Sequence, residues 1–445
     1  MLRSFRVANH RSLRDEQELL LMPRRSGGQD ALSVAAMYGA NASGKSTVLD
    51  ALGFVQHAVR DSYQRWSPTG PIPRKPFLLD EAARTESSWY VLEVLIDGAR
   101  WTYGFELDDK QIIEEWLYTY PQQRRRVIFE RDADGIRFGT AVANRRDRAR
   151  VLTDLIRDNA LLLSLAAQAG LAEVLPMYEW LNDSMEIYTG GGTAASAVLA
   201  DFLIAEPQRM IEVTRLLGAA DFGVTGLQVD VRGPEVAMAE AALARAEAEV
   251  ERTLDGKGSN VQAVRELESV RHEVDFLHTL NPRNRVRLQH GSSGVLFEVR
   301  DESAGTKSWM ALIPLVLKAL TAGDTLVVDE IDTSLHPRLV ARVIELFRDP
   351  ATNTGGGQLV FTTHDATLLG TNFGVETLRR DEIWFVEKAA DGTSSLFALS
   401  DFKPRKGENT ERRYLGGSYG AVPAVFSGSL VHELLEAREH GHAAS

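Results

Sequence analysis

Residues 39–47 read Gly-Ala-Asn-Ala-Ser-Gly-Lys-Ser-Thr and fit the spacing G-x-x-x-x-G-K-[ST]. That spacing suits anion capture. Backbone N–H groups of a glycine loop and of a following helix converge on phosphates, and the helix dipole favours negative charge there. Lys45 adds a mobile cation for the β- and γ-phosphates, and Ser46 a hydroxyl for Mg²⁺, an ion that prefers oxygen ligands. Gly39, Asn41, Gly44, Lys45, Ser46 and Thr47 are thus the candidate nucleotide contacts.

Two further stretches carry reactive side chains at the end of apolar runs. Asp324-Thr325-Leu326-Val327-Val328-Asp329-Glu330 ends in two carboxylates. A buried parallel strand would deliver them to the carboxyl edge of a sheet, where ligands of α/β proteins sit. Asp329 would then orient the Mg²⁺ shell, and Glu330 would polarise an attacking water as general base. Gln358–Asp365 is a second such run, and its His364 could hydrogen-bond the γ-phosphate or the water. Ser303 suits an N-cap for the helical run Trp309–Leu320, and Gly305 lets an anion approach that helix start.

The elements that must position these groups can be read in order. Leu2–Asn9 and Glu16–Met22 read as paired strands, and 24–29 as a glycine-bearing loop. Ala31–Tyr38 is the strand feeding the phosphate-binding loop, whose helix runs to about Tyr63. Four prolines make 67–76 irregular. Ser88–Ile96 and Arg100–Leu107 form a hairpin at Asp97-Gly98, with Ile112–Tyr120 and Arg126–Arg131 as further strands. From 145 to 285 the pattern is helical, apart from a short strand at Gly226–Val231. Val236–Glu251 and Ser259–Leu280, joined at Asp255-Gly256-Lys257-Gly258, read as either a short antiparallel coiled coil or an ordinary helix pair. Ile383–Glu387 reads as a last strand and Leu430–Glu439 as a terminal helix. The expected organisation is an N-terminal lobe (1–144), a helical insert (145–285), a C-terminal lobe (286–400) and a tail (401–445).

The chain has 445 residues, 44% of them hydrophobic, and no cysteine. Disulfides and thiolate metal sites are excluded, and a cytoplasmic location is expected. No apolar run is long enough to span a bilayer, so no membrane association is expected. The net charge of −12 argues against a surface basic throughout, yet leaves room for local patches such as 403–406 with Arg412-Arg413. Contact of that stretch with nucleic acid or an acidic partner stays open. His440 and His442 in the tail are not expected to ligate metal.

Phosphate loop, Ser-x-Gly turn, Asp-Glu strand and His strand occur in the order seen in ABC-type ATPases, and the chain resembles them. Glu302–Thr306 resembles their signature motif, Ser334-Leu335-His336-Pro337 their D-loop and His364 their switch histidine. The resemblance implies an α/β fold: an ABC-type P-loop ATPase head with a mixed sheet, an antiparallel β subdomain and an inserted helical domain. It implies ATP and Mg²⁺ as cofactors, and a homodimer or higher oligomer in which Ser303 and Gly305 of one protomer complete the site of the other. Gln111 is the candidate for the Q-loop glutamine.

Within that class the chain resembles the SMC, RecF and OLD branch. The start Phe5–Ser12, the phosphate loop, Glu302–Thr306 and Asp329–Pro337 look like the prokaryotic RloA/AbiL-type ATPases. Arg413–Pro423 resembles their C-terminal element, except that Ser418 stands where an arginine is usual. This implies a nucleotide-driven switch in antiphage defence or abortive infection, beside a separate effector such as a nuclease or toxin. The roughly 80 residues after His364 are too few for a nuclease domain of their own. A RecF/SMC-like DNA-repair ATPase sensing DNA structure is the alternative, and a static nucleotide-binding scaffold a third. The lack of a membrane segment argues against a transporter subunit.

Overall fold

Alternating apolar and polar residues near the start, and the aromatic runs after residue 88, suit strands with one face on a core. The computed structural model describes residues 1–24, 30–143, 146–190, 195–220, 223–231, 234–255, 266–271, 274, 284–292, 294–371, 376–403 and 408–422. The strands of its first third are β1 (Leu2–Ala8), β2 (Gln17–Leu20), β3 (Val34–Tyr38), β4 (Ser88–Ile96), β5 (Ala99–Leu107), β6 (Ile112–Tyr120), β7 (Arg126–Asp132) and β8 (Gly135–Phe138). Later come β9 (Met185–Tyr188), β10 (Val224–Asp230), β11 (Arg285–His290), β12 (Leu296–Glu298), β13 (Thr325–Val328), β14 (Gln358–Thr362), β15 (Ile383–Lys388) and β16 (Ser394–Ala398).

Two units result. The first comprises Met1–Thr189, Lys318–Asp332 and His336–Ser445. It holds a seven-stranded sheet in the order β2-β1-β4-β5-β6-β7-β8, antiparallel throughout. The β4–β5 turn is the expected hairpin, with Asp97 at φ 49° and Gly98 at φ 74°, the pair of positive φ values that a two-residue turn matched to strand twist requires. The same unit holds a six-stranded sheet in the order β16-β15-β3-β14-β13-β9. Its strands β15, β3, β14, β13 and β9 run parallel. β3, β13 and β14 are buried at every position, as a parallel sheet covered on both faces demands.

Helix α1 (Lys45–Asp61) sends Val48, Leu52 and Val55 into the core that also takes Phe5, Tyr90, Tyr103 and Phe105 of the antiparallel sheet. Each such side chain contributes ~1.5–3 kcal/mol by leaving water. A buried glutamine ties the two sheets. Gln358 accepts from the Leu2 N–H at 2.8 Å and donates to the carbonyls of Leu2 at 2.9 Å and Leu32 at 2.7 Å.

The second unit comprises Gly190–Leu317 and Thr333–Leu335. It carries the antiparallel sheet β10-β11-β12 and the helices Ala195–Ala205, Met210–Ala219 and Pro234–Asp255. This second unit starts at Gly190. Helices Arg146–Leu155, Leu162–Gln168 and Leu175–Asp183 belong to the first unit. The reason is visible at Glu115 on β6. This fully buried carboxylate accepts the N–H groups of Leu162 at 2.6 Å and Leu163 at 2.9 Å, which head a helix.

β8, β9 and β16 carry no clear sequence signal. β9 lies inside the stretch that reads as helical, and β16 follows β15, so Ile383–Glu387 is not the last strand. The tip of the Val236–Leu280 hairpin and most of its second arm lie outside the described residues, though Arg271 Nη2 meets Glu247 Oε1 at 3.2 Å. The loop 25–29, the basic residues 404–407, Leu430–Glu439, His440 and His442 also lie outside them. No helix of the described residues is long and apolar enough to cross a membrane.

Candidate active site

The loop leaves β3 at Tyr38, and three local features make it a cradle. Gly44 is the N-cap of α1 at φ 110°, where an L side chain is strained, and a Cβ there would collide with Ser394. A Cβ at Gly39 would collide with the Val386 carbonyl and the Ser43 hydroxyl. The start of α1 has no side-chain cap and no acidic residue in its first turn, so its leading N–H groups are left for a ligand. Ser43 Oγ is buried with no hydrogen-bond partner. Asn41 is exposed at the crest of the loop.

The Lys45 ammonium is folded back over its own loop. It donates to the carbonyls of Gly39 at 2.8 Å and Ala40 at 3.1 Å and lies 3.5 Å from His364 Nδ1. Burial lowers its pKa, against the pull of Glu330, Asp329 and Asp332. An incoming anion would replace the two carbonyls and restore the preference for charge.

The sheet order explains why distant segments meet here. β14 lies between β3 and β13, all three parallel, so the phosphate loop, His364 and the two carboxylates leave one edge side by side. Asp329 donates its N–H to the Tyr188 carbonyl at 2.8 Å. Thr362 Oγ1 donates to Asp329 Oδ1 and accepts from the Glu330 N–H, both at 2.6 Å. Glu330 sits at φ 48°, a strained backbone held by its neighbours. His364 Nε2 is 3.7 Å from Glu330 Oε1, and the backbone N–H of His364 donates to Asp332 Oδ2 at 3.2 Å.

Ser46 and Asp329 line one cavity of about 680 Å³, with Thr47, Thr189, Arg11 and Lys75 on its walls. A hydroxyl and a carboxylate at one mouth suit Mg²⁺, which takes its remaining ligands from phosphate and water. Among the described residues no three His, Cys, Asp or Glu side chains form an all-protein metal cluster.

Asp50, one turn beyond Ser46, gathers the groups around that cavity. It accepts from His10 Nε2 at 2.8 Å, Arg11 Nη2 at 3.2 Å and Lys75 Nζ at 3.0 Å. Burial acts to raise the Asp50 pKa, but the hydrogen bonds from His10 and Lys75 outweigh it and hold the carboxyl well below its usual range. His10 is fully buried, and burial lowers its pKa. Neutral His10 donates from Nε2 to Asp50, and its Nδ1 accepts from the Tyr90 hydroxyl at 2.8 Å.

Several of these partners escape sequence reasoning. Thr362 is one. Ser394 is another: its Oγ donates to the Ser43 carbonyl at 2.6 Å and lies 2.8 Å from Ser12 Oγ, itself 3.3 Å from Thr47 Oγ1. Gln111 is exposed in the β5–β6 turn and does not line the cavity. Thr189, at the end of β9, does. Ser303 and Gly305 lie in the second unit. Ser303 Oγ accepts from the Thr306 N–H at 3.0 Å, capping the helix Ala304–Ala322 as its residue type suggests. His336 caps Pro337–Arg348 through its ring. Arg413 is engaged within the tail, with Glu408 and over the Tyr419 ring at 5.0 Å.

Among solved structures, the SMC head domain from Thermotoga maritima is similar at 14% identity and a TM-score of 0.39, over 89% of this chain and 98% of that one. The Smc head domain with a coiled coil and joint from Pyrococcus yayanosii is similar at 12% identity and a TM-score of 0.36, over 91% and 99%. No curated protein matches the chain. A family model matches residues 34–179 and 178–370, a span running from β3 past His364. The chain belongs to the family described as "AAA domain, putative AbiEii toxin, Type IV TA system".

Proposed function

We propose that the chain is an ATP-hydrolysing switch. MgATP binds over Gly39–Thr47, with Lys45 on the β- and γ-phosphates and Ser46 and Asp329 holding the ion. Glu330 acts as general base on the attacking water, and His364 contacts the γ-phosphate or that water. The observation that carries this reading is the convergence of Lys45, His364 and Glu330 within 3.5 and 3.7 Å steps at one sheet edge. Catalysis of this kind is positioning and charge stabilisation, which an edge of three rigid strands provides.

The capped turn at Ser303 and Gly305 supports a dimeric site. Its helix start would face the triphosphate of a second protomer, so that ATP closes the dimer and hydrolysis opens it. The family description names a putative AbiEii toxin of a Type IV TA system, which supports a role in antiphage defence of the RloA/AbiL kind; a separate effector would be held or released by the closed state.

The test is mass in solution by light scattering. Wild type with MgATP under slow-turnover conditions, and Glu330→Gln with MgATP, should move from monomer to dimer. Lys45→Ala should bind no nucleotide and stay monomeric. A dimer that forms equally without nucleotide would contradict the switch.

A further inference from the structure

We propose that one end of the seven-stranded sheet is a docking surface for the phosphodiester backbone of a polynucleotide. Residues 121–150 hold nine arginines, no lysine and four carboxylates, in a chain of net charge −12. The fold gathers part of this excess at the end of the sheet where β5 begins, β6 ends, β7 begins and β8 ends. Arg125, Arg126 and Arg137 line a groove there of about 390 Å³.

Three observations go beyond charge. The turn that carries Arg124 and Arg125 is strained, with Gln122 at φ 52° and Gln123 at φ 62°. Left-handed backbone at two successive non-glycine residues costs free energy and persists where surrounding structure or function demands it. Next, two guanidinium groups lie over tyrosine rings: the Arg100 Cζ is 3.7 Å from the Tyr120 ring centre and the Arg125 Cζ is 3.8 Å from that of Tyr118. Cation–π contact limits where each group can go, and a guanidinium so held is ready for fork-like contact with phosphate. Finally, the carboxylates nearby are shared. Glu130 serves both Arg125 and Arg137, and Glu93 serves both Arg3 and Arg100. Among the described residues neither Arg124 nor Arg126 meets a carboxylate, and both are exposed.

An acidic protein would also be attracted by this charge. A cluster of guanidinium groups without lysine favours a polynucleotide, whose phosphates take the fork. The surface lies outside the nucleotide site, so its contact would be independent of the residues that hold ATP.

The experiment is fluorescence anisotropy on the full chain with labelled duplex DNA, duplex RNA and single-stranded DNA, titrated between about 50 and 200 mM salt. Wild type should bind at the low end with a steep salt dependence. The double substitution Arg124→Gln/Arg126→Gln should lower the slope of log K against log salt by about 1.8, two phosphate contacts' worth for a duplex. Basal ATP turnover should not change. Arg65→Gln/Arg342→Gln, exposed arginines of the same unit, should leave the slope as in wild type. The proposal is overturned if wild type binds none of the three, if the Arg124/Arg126 variant keeps the wild-type slope, or if the control variant loses as much. Binding of poly-glutamate in place of every polynucleotide would assign the surface to an acidic protein and overturn it as well.

Discussion

Replacing Thr362 by valine keeps the size and branching of the side chain and removes one hydroxyl. That hydroxyl serves both acidic residues, donating to Asp329 Oδ1 and accepting from the Glu330 N–H, each at 2.6 Å. The bond to the carboxylate is of the charged kind, and its loss costs ~1.5–3 kcal/mol. The Glu330 N–H would lose its partner too, at ~1 kcal/mol, the low end because Glu330 is exposed to water. Thr362→Val should therefore lose ~2.5–4 kcal/mol in urea unfolding. Turnover should fall further than binding. Asp329 would be free to turn, and Glu330 would lose the anchor of its strained backbone, so phosphate release should drop at least about tenfold, a barrier increase of ~1.4 kcal/mol. Affinity for a fluorescent ATP analogue should hold, since the phosphate loop is untouched. Thr362→Ser keeps the hydroxyl and should recover most of the activity. A valine variant with wild-type turnover and a stability loss under ~1 kcal/mol would refute the claim that Thr362 positions the acidic pair.

Two more outcomes follow from the site. Gly44→Ala places a Cβ at φ 110° against Ser394, so nucleotide binding should be lost and stability should fall by ~1–3 kcal/mol in thermal unfolding; unchanged binding would contradict the cradle. His10 and Asp50 both have folded pKa values below their ordinary values of 6.5 and 3.8. Each group contributes stability that is present above its ordinary value and lost as the pH falls through its folded value. The thermal midpoint should thus drop on acidification below 6.5 and again below 3.8, and Asp50→Asn should flatten the second fall; a midpoint that rises toward acid would contradict the sign.

The parts of this fold legible in the sequence are those whose signal is local. β3, β13 and β14 are apolar runs closed by a glycine or a polar cluster, and burial on both faces needs just that pattern. The phosphate loop carries its own chemistry in nine residues. β9 is different. Met185-Glu186-Ile187-Tyr188 is too short to show a period, lies among helices and is made a strand by pairing with β13. The same holds for the helix Leu162–Gln168, whose leading N–H is held by Glu115, 47 residues away in sequence. Within the site, Lys45, Asp329, Glu330 and His364 announce themselves by type and place. Thr362, Ser12 and Ser394 do not, because hydroxyls are common and their partners lie 32 to 382 residues off. Gln111 shows the converse: a glutamine of the right type in a turn that does not line the cavity.

The most direct test is single-turnover ATP hydrolysis by Glu330→Gln beside wild type, with bound nucleotide measured in the same samples. Retained MgATP with phosphate release reduced by at least about a hundredfold is the expected result, the scale of removing a positioned general base. Hydrolysis at the wild-type rate would mean that Glu330 is not the base and that the sheet edge joining Lys45, His364 and Glu330 is not where ATP is cleaved.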